Sequence, residues 1–335
     1  MFDKNVLQID YEAEADRICE GLRRLTTRVL KRRGLVLGVS GGIDSSTCAA
    51  LAVRALGPKK VFAILMPERD SSGKSTELGR MVCEHLGVEY AVEDIGEILA
   101  AAGCYTRRDE AIRTVFPEYD ETYKQKIVVP PLEEGNRVTY FSIVIQGPDG
   151  EMKKARLPYK AYLQVVAATN FKQRTRKMME YYHADRLNYA ALGTPNRLEY
   201  DQGFFVKGGD GLADVKPIAH LYKTQVYAMA KHLGLPDPVT STTPTTDTYS
   251  LPQGQDEFYF ALPYDKMDML LYAYTHEVEV PEVAKVMELS EAQVEWVYRD
   301  IEAKRRTTRY MHLPAQLIEH VDDVGANLLT EEELA

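Results

Sequence analysis

The sequence lacks the features that mark secreted, membrane-spanning and broadly nucleic-acid-binding proteins. No uninterrupted apolar run approaches the ~18 residues of a membrane span, and residues 1–14 lack the basic and apolar regions of a signal peptide. The formal net charge of −9 argues against general affinity for nucleic acid, because such binding depends on basic surface. We therefore expect a globular cytoplasmic protein that has neither nucleic acid nor a membrane as a partner.

Cysteine is also scarce, with four residues in a chain of 335 and no C-x-x-C spacing that would indicate a metal or redox pair. Cys48 and Cys83 lie in apolar helical contexts, which predicts buried thiols. This pattern fits a reducing compartment and agrees with a cytoplasmic location.

Apolar runs alternate with helical patterns over the first hundred residues. Strand and helix alternation of this kind indicates a parallel sheet covered on both faces, with ligands at the carboxyl ends of the strands. We therefore predict an α/β fold with a doubly wound, mostly parallel, Rossmann-like sheet. The predicted elements of this part are helices at 11–32, 45–56 and 74–86, and strands at 35–39, 61–66 and 88–95.

The alternation breaks between residues 105 and 158, where two apolar runs flank Gln146-Gly-Pro-Asp-Gly150 and predict an inserted β-hairpin. We predict one domain over residues 1–335, with the insert at 105–158 and a C-terminal helical segment at 255–335. Further expected elements are a strand at 187–192 and helices at 159–182, 264–275, 281–287 and 290–305.

The sequence also has no Walker A lysine motif and no G-x-G-x-x-G fingerprint. Instead, a Ser/Gly-rich turn follows the first predicted strand and enters a helix-forming stretch. Gly41 and Gly42 would let the backbone approach an oxyanion, and Ser40, Ser45 and Ser46 would add hydroxyl donors beside the positive end of the helix dipole. This turn predicts a pyrophosphate-binding loop.

A second segment, residues 193–217, is too rich in glycine and charge to be core. Its acidic side chains surround Lys207, and Lys223 begins the next predicted helix. Such a mixture suits a site that holds Mg²⁺ and also balances an anionic substrate. The acidic residues of the segment are Glu199, Asp201, Asp210 and Asp214.

The S-G-G-x-D-S pattern at residues 40–45 resembles the signature of the N-type ATP pyrophosphatases. With the second segment included, the chain resembles the ammonia-dependent NAD synthetases over nearly all of its length outside residues 105–158. The resemblance implies a homodimer that amidates nicotinic acid adenine dinucleotide (deamido-NAD) through an acyl-adenylate, using ATP and ammonia and releasing AMP and pyrophosphate. Because only 34 residues precede the first strand, we expect free ammonia or a separate glutaminase subunit to supply the nitrogen. We expect the insert to cap or extend the subunit interface.

The resemblance also implies roles for individual residues. Asp44 and Glu199 correspond to the Mg²⁺ ligands and, with Lys223, to the catalytic residues. The positions that correspond to ATP-binding residues are Gly38, Ser40, Gly41, Gly42, Asp44, Ser45, Thr194, Lys223 and Thr245. Those that correspond to the dinucleotide-binding residues are Arg174, Lys207, Asp214 and Lys304, although Ala303 stands where the family has a histidine.

Two other functions remain open at this point. The insert, Ala303 and the pair Pro195-Asn196 would fit an amide ligase that adenylates a different carboxylate. A regulatory subunit that binds a nucleotide without turnover is disfavoured, because the acidic and basic residues of the motifs are retained. Among the substrate residues, Arg174 and Lys304 lie in basic runs that could be solvated helix faces, and Arg176 could replace Arg174.

Overall fold

A four-stranded parallel sheet forms the centre of the fold, with the strand order β3-β2-β1-β7. Its strands are β1 (Leu35–Gly38), β2 (Val61–Leu65), β3 (Glu89–Val92) and β7 (Ala190–Ala191). The structure is a computed structural model and describes residues 2–128, 141–241, 249–251 and 262–319. In the register of the sheet, Leu35 pairs with Val61 and also with Ala190, so β1 is flanked on both sides.

Helices cover both faces of this sheet. On one face, the apolar side chains of α1, α2, α3 and α8 pack with β1 and β2 into the largest core. On the other face, Val36, Phe62 and Ile64 contact Ala184 of α6. These helices are α1 (Tyr11–Arg24), α2 (Ile43–Leu56), α3 (Gly73–Leu86), α6 (Tyr159–Leu187) and α8 (Lys223–His232). The predicted doubly wound α/β class is confirmed.

Local sequence signals explain where several helices begin and end. The Asp10 carboxylate accepts the N–H groups of Glu12 and Ala13 at 3.1 Å and caps α1, and Ser72 caps α3 in the same way. Gly87 ends α3 in the left-handed region at φ +64°. A short π-helical segment, Leu25–Val29, continues α1 close to the predicted limit.

The expected strand at 187–192 is wrong in its extent. Helix α6 continues to Leu187, five residues beyond the prediction, and Asn188 ends it at φ +57°. Two residues are left for β7, and Leu192 then forms an isolated parallel bridge with Val215. Asparagine tolerates the left-handed conformation, which explains a helix end that apolar periodicity alone does not show.

The interval 105–158 contains a hairpin and a third strand. In the part described, β4 (Lys124–Val128), β5 (Ser142–Gln146) and β6 (Met152–Arg156) form an antiparallel sheet in that order. Gly150, at φ +86°, lies in the turn between β5 and β6. The inserted sheet packs on α5 (Cys104–Arg113) and on the first turns of α6. Residues 129–140 lie outside the described residues.

The C-terminal part of the described chain is helical. Helix α12 runs seven residues further than predicted, and α10 has the predicted bounds. The remaining helices are α4 (Gly96–Ala101), α7 (Arg197–Gln202), α9 (Asp237–Thr240), α10 (Tyr264–Thr275), α11 (Val280–Met287) and α12 (Glu291–His312). Within the described residues, no helix combines the length and the apolar character needed to cross a membrane.

Candidate active site

A cavity of about 660 Å³ lies at the carboxyl ends of β1 and β2. Its walls come from the loop after β1, from one side of α6 and from the segment 194–210. This is the edge where a parallel α/β sheet binds its ligands, because the loops after the strands and the helix N-termini meet there. The predicted residues that line it are Gly38, Ser40, Gly41, Gly42, Asp44, Ser45, Arg174, Thr194, Glu199, Lys207 and Lys223.

The loop after β1 is shaped by its own hydroxyl groups. The Ser40 N–H donates to Ser45 Oγ at 3.3 Å, and the Gly42 N–H donates to Ser40 Oγ at 3.3 Å. Gly42 is the first residue outside α2, and no side chain caps that helix, so its first N–H groups point at the cavity edge without a side-chain acceptor. Such N–H groups form a site for an oxyanion.

Gly41 and Ser46 have structural roles in this loop. Gly41 adopts φ +77°, and a Cβ there would lie 2.5 Å from Leu78 Cβ, so only glycine fits. Ser46, which we expected to offer its hydroxyl, is buried and donates to the Gly42 carbonyl at 2.8 Å. It therefore stabilises the helix start and does not line the cavity.

Four side chains from three helices converge beside the loop. Asn196 Nδ2 donates to Asp44 Oδ1 at 3.1 Å, and the Lys223 ammonium donates to the other oxygen of the same carboxylate. Asn196 is the N-cap of α7, where its side chain accepts the Glu199 N–H at 3.2 Å and its own N–H donates to Glu199 Oε2 at 3.2 Å. A capping box thus fixes Glu199 next to Asp44.

The electrostatics of this cluster reflect its enclosure. Burial and the negative charge of Asp44 raise the pKa of Glu199 to about 8. Burial favours the neutral amine of Lys223, but the carboxylates of Asp44 and Glu199 outweigh it and raise the pKa of the ammonium. Two carboxylates that repel each other in an enclosed position are suited to a cation between them.

The number of carboxylates in this cluster fits a Mg²⁺ site. Mg²⁺ is usually held by one or two carboxylates, with substrate phosphates and water as its other ligands. Asp44 and Glu199 supply two, and in the described part of the chain no group of three metal-ligating side chains is found. These two carboxylates would therefore hold the ion together with a bound nucleotide, not in a closed protein cage.

Lys223 is positioned by a residue that the sequence analysis missed. Asp268 of α10 is fully buried and accepts the N–H groups of Lys223 at 3.2 Å and of Thr224 at 2.7 Å. This carboxylate satisfies the first turn of α8 from another helix, so it fixes the residue from which the Lys223 side chain reaches Asp44. Asp268 is 45 positions from Lys223 in the sequence, so no local sequence pattern indicates that it positions this lysine.

Arg174 and Lys207 meet at one side of the cavity. Arg174 Nε donates to the Lys207 carbonyl at 3.2 Å, and the Lys207 ammonium donates to the carbonyls of Tyr310 and Leu313, at 2.7 and 3.3 Å, at the end of α12. Gly209 permits the contact of this segment with α6, because a Cβ there would lie 2.8 Å from Gln173 Cβ. Arg174 is exposed, so its guanidinium is accessible to an anionic substrate.

The other predicted substrate residues lie elsewhere. Asp214 accepts the Tyr181 hydroxyl at 3.1 Å and the Ala191 N–H at 2.7 Å, and it does not line the cavity. Lys304 forms an ion pair with Asp300 at 2.6 Å on α12 and is also outside the cavity lining. Thr245 lies outside the described residues.

The basic run of α6 that contains Arg174, and that could be a solvated helix face, includes two buried lysines, Lys172 and Lys177. Lys177 and Glu180 of α6 form an ion pair of 2.5 Å and line the cavity next to Gly38. Lys172, on the same helix, is 1% exposed. The signal for Lys177 and Glu180 is their i, i+3 spacing, which places both on the side of α6 that faces β1.

A Ser/Gly-rich loop beside two carboxylates and a lysine, at this edge of the sheet, is typical of nucleotide-dependent enzymes of the N-type ATP pyrophosphatase fold. The model of the family described as NAD synthase matches residues 14–117 and 134–310, and the chain belongs to that family. The predicted family is thereby confirmed. Between the two matched segments, residues 118–133 are unmatched.

Individual relatives agree with this assignment. The chain is 57% identical to the NH(3)-dependent NAD(+) synthetase of Rhizobium meliloti (strain 1021) over 324 residues, which cover 97% of each chain. It is 36% identical to the NH(3)-dependent NAD(+) synthetase of Thermotoga maritima over 267 residues, covering 77% of this chain and 89% of that one. The structure of the NH3-dependent NAD synthetase of Campylobacter jejuni has the same fold, with a TM-score of 0.61 at 22% identity over 93% of this chain and 100% of that one.

Proposed function

We propose that this protein catalyses the ATP-dependent amidation of deamido-NAD to NAD with ammonia as nitrogen donor. The observation that carries the proposal is the convergence of Asp44, Glu199 and Lys223 beside the loop of residues 40–45. The chain is 57% identical to a protein named NH(3)-dependent NAD(+) synthetase, and the cluster lies beside a helix N-terminus of the kind that binds phosphate groups.

In the first step, the carboxylate of deamido-NAD attacks the α-phosphorus of ATP, and the bond from that phosphorus to the bridging oxygen breaks. The N–H groups at the start of α2 and the hydroxyls of Ser40 and Ser45 would bind the departing pyrophosphate. Lys223 would place a positive charge beside the phosphates, held in place by Asp44. When bound to Asp44 and Glu199, Mg²⁺ would neutralise phosphate charge.

In the second step, ammonia attacks the carbonyl carbon of the acyl-adenylate, AMP leaves, and the nitrogen loses a proton. No nucleophilic side chain is needed, because adenylation has already made a good leaving group. Catalysis therefore depends on positioning the reactants, which suits a site built on helix N-termini. We propose free ammonia or a separate glutaminase subunit as the nitrogen source. We also propose a cytoplasmic location, which agrees with the four buried free thiols.

We also propose a homodimer. Helix α6 exposes apolar side chains along one side, and Arg174 lies between them on the same exposed side. The exposed apolar residues of α6 are Tyr159, Leu163, Met178 and Tyr182. Pairing of this surface with a second copy would bury it and bring Arg174 close to the partner. Light scattering should give twice the chain mass of 37.9 kDa, and Met178→Glu should lower it.

The test of the activity is an assay with Mg²⁺, ATP, an ammonium salt and deamido-NAD, in which NAD and pyrophosphate are measured separately. We expect the two products in equal amounts, and Asp44→Asn should abolish both. Asp185→Asn is the matched control, because Asp185 is exposed on α6 and outside the cavity lining. Absence of NAD while another carboxylate supports pyrophosphate release would refute the substrate and favour the alternative ligase.

A further inference from the structure

One end of the cavity is lined by aromatic rings that the inserted sheet and α6 supply together. Phe141 directly precedes β5, and its ring stacks on Tyr162 with centroids 3.9 Å apart and planes inclined by 10°. Both rings are half-buried and line the cavity, together with Val166 and the buried Tyr249. By contrast, Ile143 of the same strand is fully buried in the core of the inserted sheet. The ring pair therefore offers apolar surface to a ligand.

Backbone hydrogen bonds fix the main chain at both residues, and the rings pack against each other. The Leu157 N–H donates to the Phe141 carbonyl at 3.0 Å, which continues the pairing of β5 with β6 to the residue before β5. The Tyr162 N–H donates to the Pro158 carbonyl at 2.9 Å in the first turn of α6. A ring surface that is already ordered costs a ligand little conformational entropy on binding.

The cavity changes character along α6. Tyr162 lies about 27 Å from Glu180 at the helical rise of about 1.5 Å per residue, and Glu180 packs beside Gly38 at the start of the phosphate loop. Between these ends the lining includes Arg174 and Lys177. A cavity that is aromatic at one end and lined at the other by the first turn of α2, whose N–H groups have no side-chain acceptor, matches a nucleotide, which has a flat base and anionic phosphates.

We propose that Phe141 and Tyr162 form a stacking platform for a planar heteroaromatic base of one of the two nucleotide substrates. The inserted sheet thereby completes the substrate site through Phe141. This inference rests on the proposed function, because that function supplies ATP and a dinucleotide as ligands. Both carry the required chemistry, and the experiment distinguishes between them.

The experiment measures equilibrium dissociation constants by calorimetry, for ATP and for deamido-NAD separately, with the full-length protein. Removing an aromatic ring beneath a stacked base weakens binding by about 5- to 150-fold. Phe141→Leu keeps an apolar side chain, so we expect the lower part of this range, about 5- to 20-fold, for one nucleotide. Phe141→Tyr should restore the affinity. Tyr123→Leu is the matched control, because Tyr123, like Phe141, is partly buried against the core of the inserted sheet but is not part of the cavity lining.

The outcomes separate the two proposals. A weaker affinity for ATP alone assigns the platform to adenine of ATP, and a weaker affinity for deamido-NAD alone assigns it to a base of the dinucleotide. Equal affinities in Phe141→Leu and the parent would overturn the inference and leave the proposed function intact, as would an equal loss in Tyr123→Leu. If the parent binds neither nucleotide, the proposed function fails and the inference fails with it.

Discussion

Replacing Lys172 by methionine should destabilise the protein strongly, because it removes the shared cation of a buried ionic cluster. The Lys172 ammonium lies 2.9 Å from Glu68 and 2.6 Å from Asp70, and the three side chains are 1%, 0% and 5% exposed. Arg108 also pairs with Asp70 at 2.5 Å and would remain. The variant therefore leaves Glu68 as a buried carboxylate that keeps the Tyr105 hydroxyl at 2.8 Å but has no ion-pair partner among the residues that the structure describes.

The magnitude follows from the partners that are lost and kept. Removing one member of a buried ion pair typically costs about 3–5 kcal/mol, and the retained Arg108 places this case near about 3 kcal/mol. Burial opposes ionisation of Asp70, but Lys172 and Arg108 lower its pKa, so this carboxylate stays charged. At an unfolding entropy of about 2.1 cal/mol/K per residue, about 1 kcal/mol corresponds to about 1.4 °C in a chain of 335 residues, which gives a fall in Tm of about 4 °C.

Differential scanning calorimetry measures the effect, and two further variants check its cause. Lys172→Met combined with Glu68→Gln should recover at least half of the loss, because no carboxylate is then left without a cation. Lys4→Met removes an exposed ion pair with Glu288 of 3.0 Å and should change the stability by less than about 1 kcal/mol. A Tm of Lys172→Met within 2 °C of the parent, or a double variant no more stable than the single one, would refute this reasoning.

Three further predictions follow from single features of the structure. Gly41→Ala and Gly87→Ala both place alanine at positive φ, which costs about 1–2 kcal/mol, but a Cβ at position 87 meets open space. Gly41→Ala alone should therefore raise the KM for ATP, by about 10- to 100-fold, in steady-state assays; similar KM values would contradict this. Burial raises the pKa of Asp268 from 3.8 to about 6, so the folded protein holds a proton that the unfolded chain has released, and this group's contribution to stability falls between about pH 4 and pH 6. The side chain of Asp268→Asn cannot ionise, so the Tm of this variant should fall less than the Tm of the parent over that interval. Parallel profiles of Tm against pH for the two proteins would contradict this prediction. The four buried thiols should react with a disulfide reagent only after unfolding, and rapid reaction of the native protein would show that they are accessible.

Much of the fold could be predicted because its elements have local signals. The alternation of apolar runs and helical patterns identified β1, β2 and the helices between them, and glycine or asparagine residues mark several of their ends. The end of α6 is an exception. The apolar pattern near Leu187 resembles a strand, but the helix continues through it and ends at Asn188.

The site could be predicted in part because of where its motifs lie on the sheet. Asp44 is at the start of α2, Glu199 is in the first turn of α7, and Lys223 begins α8. Helices that follow parallel strands begin at the carboxyl edge of the sheet, so residues at these three helix starts are brought to the same place. Topology alone therefore predicts their convergence once each motif is found.

The residues that sequence reasoning missed act across elements that are distant in the chain. Lys172 belongs to the basic run around Arg174 that could be a solvated helix face, but its partners Glu68 and Asp70 follow β2, and no spacing within α6 reveals them. Asp268 reaches α8 from α10, and Phe141 meets Tyr162 only because the inserted sheet packs on α6. A run of charged residues predicts a solvated surface only where no oppositely charged side chain from another element packs against it. Such partners have to be found in the folded structure, because burial of a lysine depends on the arrangement of three elements and not on its neighbours in the sequence.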